Sequence, residues 1–266
     1  MEGVSLNITI IIGWVLAFGL TVFGIMNGGE IGNFIDPASI FITVGGTLGG
    51  LIASFPISTL AALPKLLKII LFPPKYNPQK YIDEIVEYAR VARSQGILTL
   101  EDSANKAKDP FMKKSLLLLV DANDAEKIRE MLEEAIDFTS DRHAGNIAFF
   151  EKGVALGPAF GMLGTLVGLI NMLANMESDS GNLGAAMATA LVTTFYGSLL
   201  ANVIFGPMAS ALQNADQQEI LCMQIICQGS MAIAAGSNPA LIREKLEFML
   251  ADKDLKGKGS GNNESE

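Results

Sequence analysis

The chain has 266 residues, half of them hydrophobic, with a formal net charge of −9, two cysteines and one histidine. Its mean hydropathy of +0.37 is that of a chain with lipid-facing surface, and its acidic balance excludes nucleic acid as a partner, because a phosphate-binding face needs concentrated Lys and Arg. Cys222 and Cys227 are too few for a disulfide scaffold and read as small apolar helix residues, while the lone His143 supports neither an ordinary metal site nor a Ser-His-Asp or Cys-His centre.

The chain opens on Met1-Glu2-Gly3-Val4, without the basic start of a cleavable leader, and its first apolar stretch is too long for a leader's core, so it is expected to stay in the membrane. A hydrocarbon core of about 30 Å needs roughly 20 apolar helical residues. Residues 8–26 and 37–55 are uncharged and are expected as spans 1 and 2. The connection 27–36 holds Glu30 and Asp36 and no basic residue.

An insertion of helical character follows. Tyr81, Ile85, Tyr88, Ala89 and Ala92 recur at helical spacing over 76–94, Gly96 is expected to end that helix, and Thr99-Leu-Glu-Asp102 resembles a capping box for the next. Asp109-Pro110 starts a third helix through the apolar run 116–120. Asn123-Asp-Ala-Glu126 is expected to cap a long helix running straight into span 3, placed at 153–176. A short acidic loop, 177–181, contains Glu177 and Asp179. Span 4 is placed near 184–206, within a longer uncharged stretch. A fifth apolar stretch, 220–242, carries Gln224, Gln228, Ser230, Ser237, Asn238 and Pro239. Its apolar positions (Ile220, Met223, Ile226, Cys227, Met231, Ala234) recur at helical spacing, so an amphipathic helix outside the membrane is expected. The tail after Asp252 is rich in Gly, Lys, Ser and Asn and is expected to be disordered.

All 19 Lys and Arg residues fall in 54–152 or after Ala215. Basic loops stay on the cytoplasmic side, so both short acidic loops face outward and both termini face inward. The expected fold class is all-α: a polytopic membrane protein with four transmembrane helices and a helical cytoplasmic domain. Its segments are a transmembrane hairpin at 1–56, a cytoplasmic helical insertion at 57–152, a second hairpin at 153–212, cytoplasmic C-terminal helices at 213–252 and the tail at 253–266.

No Asp, Glu, Lys, Arg or His lies in the four expected spans. An ion path through hydrocarbon usually needs such a group. Either this chain conducts nothing, or it forms one wall of a path whose carboxylate belongs to another subunit, and the residues alone leave both open. Span 3 carries Gly153, Gly157, Gly161, Gly164 and Gly168, and span 2 carries the pairs Gly45/Gly49 and Gly46/Gly50, the small-xxx-small pattern of close helix contacts. Pro158 and Pro207 each remove a helix hydrogen bond and obstruct the carbonyl four residues earlier. Thr165, Thr189, Thr193 and Thr194 can bond their own helix backbone, or can face a pore and coordinate a cation or hold a water chain. No GxxxxGK[ST] phosphate loop occurs, and Asn7-Ile-Thr9 and Asn263-Glu-Ser265 fit the glycosylation pattern by chance. An enzyme is not expected.

Ala155-Leu-Gly-Pro-Ala-Phe-Gly-Met-Leu-Gly-Thr-Leu-Val-Gly-Leu169, followed by Thr193-Thr-Phe-Tyr-Gly197 and Phe205-Gly-Pro207, resembles the MotA/PomA family of flagellar motor stator subunits, relatives of the ExbB and TolQ ring proteins. Asp36-Pro37 with Val44-Gly-Gly-Thr47, the segment Arg93-Ser-Gln-Gly-Ile-Leu-Thr-Leu-Glu101, and Gly236-Ser-Asn-Pro239, expected in the C-terminal helix, agree with it. The resemblance covers the chain to about residue 250. It implies an inner-membrane homopentameric ring around a dimer of MotB, which supplies the missing membrane aspartate, and no cofactor. By the family's pattern Pro158 and Pro207 lie beside the ion path and couple ion passage to movement, and Thr194 matches a pore hydroxyl. Thr165 matches a position that carries a hydroxyl in sodium-type members and that some proton-type members lack. The transported ion is expected to be H+, with Na+ as the alternative. Arg93 and Glu101 match the charged pair that meets the rotor protein FliG, and Arg90, on the same helical face as Arg93, extends that patch. The other expectations are an ExbB/TolQ-type energising ring, which usually has three spans, and a non-conducting membrane scaffold.

Overall fold

The computed structural model describes residues 6–121, 124–174 and 183–250, and no strand occurs among them. The outward loop expected at 177–181, the cap expected at Asn123 and the tail at 253–266 lie outside the described residues. Among the described residues four helices are long and apolar enough to cross a membrane: Ile8–Gly28, Ile31–Ser54, Ala125–Ala174 and Leu183–Ala234. Each contains one of the expected spans, apart from the terminal residue Phe55 of span 2 and residues 175 and 176 of span 3. The chain divides into two units, Met1–Lys75 with His143–Ala215, and Tyr76–Arg142 with Asp216–Glu266.

In the first unit, α1 (Ile8–Gly28) is apolar on every side and fully buries no residue, which suits a helix that faces lipid over most of its surface. Asp36 caps α2 (Pro37–Ile40), accepting the Ser39 N–H at 3.0 Å, with Pro37 in the first turn, where its missing N–H costs nothing. A π-helical turn, Phe41–Gly45, joins α2 to α3 (Gly46–Ser54). The amphipathic α4 (Ile57–Leu71) buries Leu66 and Ile70. These two join the cluster of Leu51, Ile147, Phe149, Phe150 and Phe205. That burial is why residues 57–75 and 143–152, expected within the cytoplasmic insertion, belong to the first unit.

Asn7 serves two helices at once. Its Oδ1 accepts the Ile10 N–H at 3.4 Å at the start of α1, while its backbone N–H donates to Leu71 O at 2.7 Å and its Nδ2 to Ile70 O at 3.3 Å. The last carbonyls of α4 and an orphan donor of α1 are thereby satisfied together. Asn7→Ala is expected to cost about 1–2 kcal/mol, read as a lower melting temperature of the purified membrane protein. Asn7→Asp, which retains the acceptor but loses the amide donor, is expected to fall between the two.

The long helix α8 (Ala125–Ala174) contains Pro158 and meets α9 (Leu183–Leu199) through glycine. A Cβ on Gly157 would lie 2.9 Å from the Gly197 carbonyl, one on Gly161 3.0 Å from the Thr193 carbonyl, and one on Gly168 2.8 Å from the Ala186 carbonyl. This is backbone-to-backbone contact, as the spacing predicts. The two faces of span 2 differ: Gly46 and Gly50 lie beneath Phe160 and Leu156, whereas Gly45 and Gly49 have nothing within 4 Å of a built Cβ.

The second unit packs α5 (Pro78–Gln95), α6 (Leu100–Lys106), α7 (Pro110–Asp121), residues 125–142 of α8, residues 216–234 of α10 (Gly206–Ala234) and α11 (Pro239–Glu247). Its core includes Ile82, Ile85, Leu116, Leu132, Ile225, Ile226, Ile242 and Leu246. Asn77 caps α5, Asp109 accepts the Phe111 and Met112 N–H groups at 2.9 Å each, and Asp124 caps α8 through the Glu126 N–H at 3.1 Å. Gly96, at φ 92°, ends α5.

Three local expectations are corrected. Thr99 is no cap, because it sits in a 3₁₀ turn with helical backbone angles, and its hydroxyl donates back to Gly96 O at 2.7 Å. The stretch 220–242 is not one amphipathic helix. It stops at Ala234, turns at Gly236 (φ 65°), and restarts where Asn238 accepts the Ala240 N–H at 3.1 Å. The Gly236-Ser-Asn-Pro239 segment is thus a turn and a cap. Ile225 and Ile233 are buried beside Met223, Ile226 and Cys227, so more than one face is covered. Both thiols are inert by environment: burial first, then the nearby Asp109 and Glu219 carboxylates, pushes the Cys222 thiol up to about 12, and burial likewise raises Cys227.

Candidate functional site

The glycine seam between α8 and α9 lets short side chains reach across the two helices. Thr165 Oγ1 lies 2.6 Å from Thr194 Oγ1. Thr165 also lies 3.1 Å from Gly161 O and 3.2 Å from Ala190 O, and Thr194 lies 3.4 Å from Ala190 O. Two hydroxyls and two carbonyls thus converge without any charged group. Such a set is hard and uncharged: it can replace part of the hydration shell of a small cation, or order water for a proton, and needs a carboxylate from elsewhere to supply the charge.

The threonines of α9 divide by direction. Thr194 is exposed, whereas Thr193 is fully buried and donates back to its own helix, 3.0 Å from Thr189 O and 2.9 Å from Ala190 O. The Thr43 hydroxyl, in the π-helical turn of span 2, reaches Thr193 O at 3.4 Å. Thr193 is therefore a packing residue, whereas Thr194 is exposed with the half-buried Thr165 beside it.

The two prolines enter separately. Pro158 is exposed on α8, seven residues before Thr165, a spacing that puts both on one helical face. Pro207 lies thirteen residues past Thr194 in sequence, just after a second π-helical turn, Leu200–Phe205, where the Gly206 N–H reaches back to Ala201 O. Wide turns of this kind recur at functional sites.

Sequence reasoning missed two neighbours of Thr194. Ser198 and Asn202 are also exposed, each four residues further along, so Thr194, Ser198 and Asn202 form an exposed polar stripe that runs from α9 into the turn Leu200–Phe205. Asn202 Nδ2 donates to Ser198 O at 3.0 Å. The i, i+4, i+8 spacing of polar residues within an uncharged stretch was the available signal.

In the second unit Arg90, Arg93 and Glu101 are all exposed. Arg93 stands in the last turn of α5 and Glu101 in the first turn of α6, each of the sign that its helix end favours. Neither forms an ion pair among the described residues. Arg90 is engaged locally, with Glu87 at 3.2 Å and side chains 64% and 62% exposed, a pairing worth little in water. Between the two charges Leu98 is 70% exposed.

Comparison with known proteins covers both units. Residues 11–96 match the motility protein A N-terminal family, and residues 103–225 match the MotA/TolQ/ExbB proton channel family. The chain is similar to Motility protein A of Borreliella burgdorferi, 36% identical over 250 residues that cover 94% of this chain and 96% of the relative. It is 37% identical over 246 residues to the chemotaxis protein PomA of Vibrio alginolyticus, covering 92% of this chain and 96% of the relative. Among solved structures it resembles the flagellar MotAB stator complex from Bacillus subtilis, with a TM-score of 0.83 and 30% identity, covering 93% of this chain and 98% of that one.

Proposed function

Because the chain belongs to the MotA/TolQ/ExbB proton channel family, we propose that it is the stator subunit of a bacterial flagellar motor, an ion-channel component and not an enzyme. It lies in the inner membrane as a four-span protein with both termini inside, since its basic residues avoid the two short loops. The observation that carries the reading is the contrast between the expected spans 8–26, 37–55, 153–176 and 184–206, which hold no Asp, Glu, Lys, Arg or His, and a cluster of hydroxyls and carbonyls at Thr165, Thr194, Gly161 and Ala190. A wall of this kind moves cations only beside a borrowed acid. A MotB-type partner with one membrane aspartate supplies it, and five copies of this chain surround a dimer of that partner. Ion passage beside Pro158 and Pro207 turns the ring, and Arg93 and Glu101, with Arg90 beside them, push the rotor protein FliG.

The proton is the transported ion on this reading. A second reading, sodium, is favoured by one observation: the four oxygens around Thr165 and Thr194 form an uncharged donor set of the type a bare alkali cation uses. An ExbB/TolQ-type ring, usually of three spans, fits less well with a chain that has four candidate spans and a motility protein A N-terminal match.

Ion flux in vesicles holding this chain and its partner is expected to vanish when the partner's membrane Asp is replaced by Asn. Flux from this chain alone would contradict both the borrowed acid and a non-conducting scaffold. The rotor contact has a separate test. Reversing both charges, Arg93→Glu with Glu101→Lys, is expected to stop swimming while leaving flux intact, and single reversals are expected to slow it more as ionic strength falls. Full motor torque from the double variant would remove these residues from the contact.

A further inference from the structure

In a regular α-helix the N–H of residue 207 would close on the carbonyl of Val203, but Pro207 has no N–H to give. The Gly206 N–H is not available either, since the wide turn Leu200–Phe205 directs it to Ala201 O. The Val203 carbonyl instead accepts the indole N–H of Trp14, at 2.7 Å, from a different span. Trp14 is the only tryptophan of the chain. It is half-buried, roughly 9 Å along α1 from its first residue, and packs on the cluster that contains Phe205 and Ala209.

The setting makes this contact unusual for α1. That helix fully buries none of its residues, and among the described residues only two polar groups tie it to the rest of its unit, Asn7 at its start and the Trp14 indole. In hydrocarbon a carbonyl deprived of its helix donor has no water to turn to. The indole thus supplies a donor to a carbonyl at the break where Pro207 offers none.

We propose that Trp14 is a positioning residue for the coupling proline that follows span 4: its indole N–H holds the Val203 carbonyl left without a donor at Pro207 and thereby fixes the backbone of the wide turn Leu200–Phe205 beside the ion path. The proposal rests on the stator reading for its consequence but not for the contact itself. A tryptophan serving only as a lipid-surface anchor would also be amphipathic, but its hydrogen bond would not depend on residue 207, and any ring of similar polarity would serve.

The test uses the full chain with its aspartate-bearing partner in lipid nanodiscs. The ultraviolet resonance Raman spectrum of Trp14 is isolated as the difference between wild-type and W14F complexes. A strongly hydrogen-bonded indole N–H is expected, weakening in P207A, where residue 207 regains an N–H that competes for Val203 O. An indole signal unmoved in P207A would overturn the link to the proline. Function is read as ion flux per complex. Replacing Trp14 by its benzothienyl isostere, with sulfur in place of N–H, is expected to lower flux roughly two- to tenfold, the range that one net hydrogen bond commands. 5-Fluorotryptophan, which retains the N–H, is expected to preserve flux. Equal flux from both analogues would overturn the positioning role. A wild-type complex that carries no ions would sink the stator reading, and the Raman comparison would still decide the contact on its own.

Discussion

Gly197→Ala is expected to abolish accumulation of the protein in the membrane, although it adds a single methyl group. A Cβ at Gly197 would lie 2.6 Å from the Gly157 carbonyl oxygen and 3.1 Å from the Gly161 Cα. Both are backbone atoms of the facing helix, so no side chain can rotate aside, and the two helices must separate. Separation would open the neighbouring contacts of Gly161 and Gly168 as well and pull Thr165 away from Thr194. A cost of about 3 kcal/mol or more follows from overpacking against rigid neighbours, a large share of the stability of an ordinary fold. Immunoblot of membranes and a melting curve of whatever complex survives provide the measurement. Gly45→Ala is the matched control. It adds the same methyl where nothing lies within 4 Å, and alanine is the better helix former by roughly 0.5–1 kcal/mol, so the isolated chain is expected to lose nothing. Normal levels of the Gly197 variant would show that the seam is looser than these distances state.

That seam was legible in the sequence because its cause is local: glycines four apart on an uncharged stretch can serve few other purposes. The four spans were legible for a similar reason, since hydrophobic length acts without reference to tertiary contacts. What escaped were the features that depend on partners distant in sequence. The Val203 carbonyl finds its donor 189 residues away, at Trp14, and nothing in the periodicity of either helix announces that pairing. The stretch at 220–242 misled because the burial of Ile225 and Ile233 comes from helices packed on several sides, whereas an amphipathic pattern assumes one. Thr99 misled in another way. A capping box is defined by residue types, yet a cap works from a non-helical backbone, and the 3₁₀ turn following Gly96 holds Thr99 in a helical one. Of the candidate cluster, Thr165 and Thr194 do meet, whereas Ser198 and Asn202 belong to no motif and are marked only by the helical spacing that lines them up with Thr194.

Thr194→Val is expected to leave assembly intact and to cut ion flux roughly tenfold or more, since removing one polar partner of a desolvated group costs about 1–3 kcal/mol. Valine matches threonine in shape, and Thr194 is exposed within its own chain, so a general loss of fold is not the expected cause. Thr194→Ser restores the oxygen and is expected to restore flux, which a packing effect would not do. Thr165 then separates the two ions. If a proton passes, the Thr194 hydroxyl and the Ala190 carbonyl, 3.4 Å apart, still suffice to order water, and Thr165→Ala is expected to lower flux by no more than about threefold. If sodium passes, the ion loses one of few oxygens replacing its hydration shell, and both flux and apparent sodium affinity are expected to fall together. Swimming of the Thr165→Ala strain across a range of sodium concentrations reads the difference. A speed that recovers as sodium rises identifies sodium as the ion passing this pair of hydroxyls, and a speed indifferent to sodium leaves the proton as the cargo.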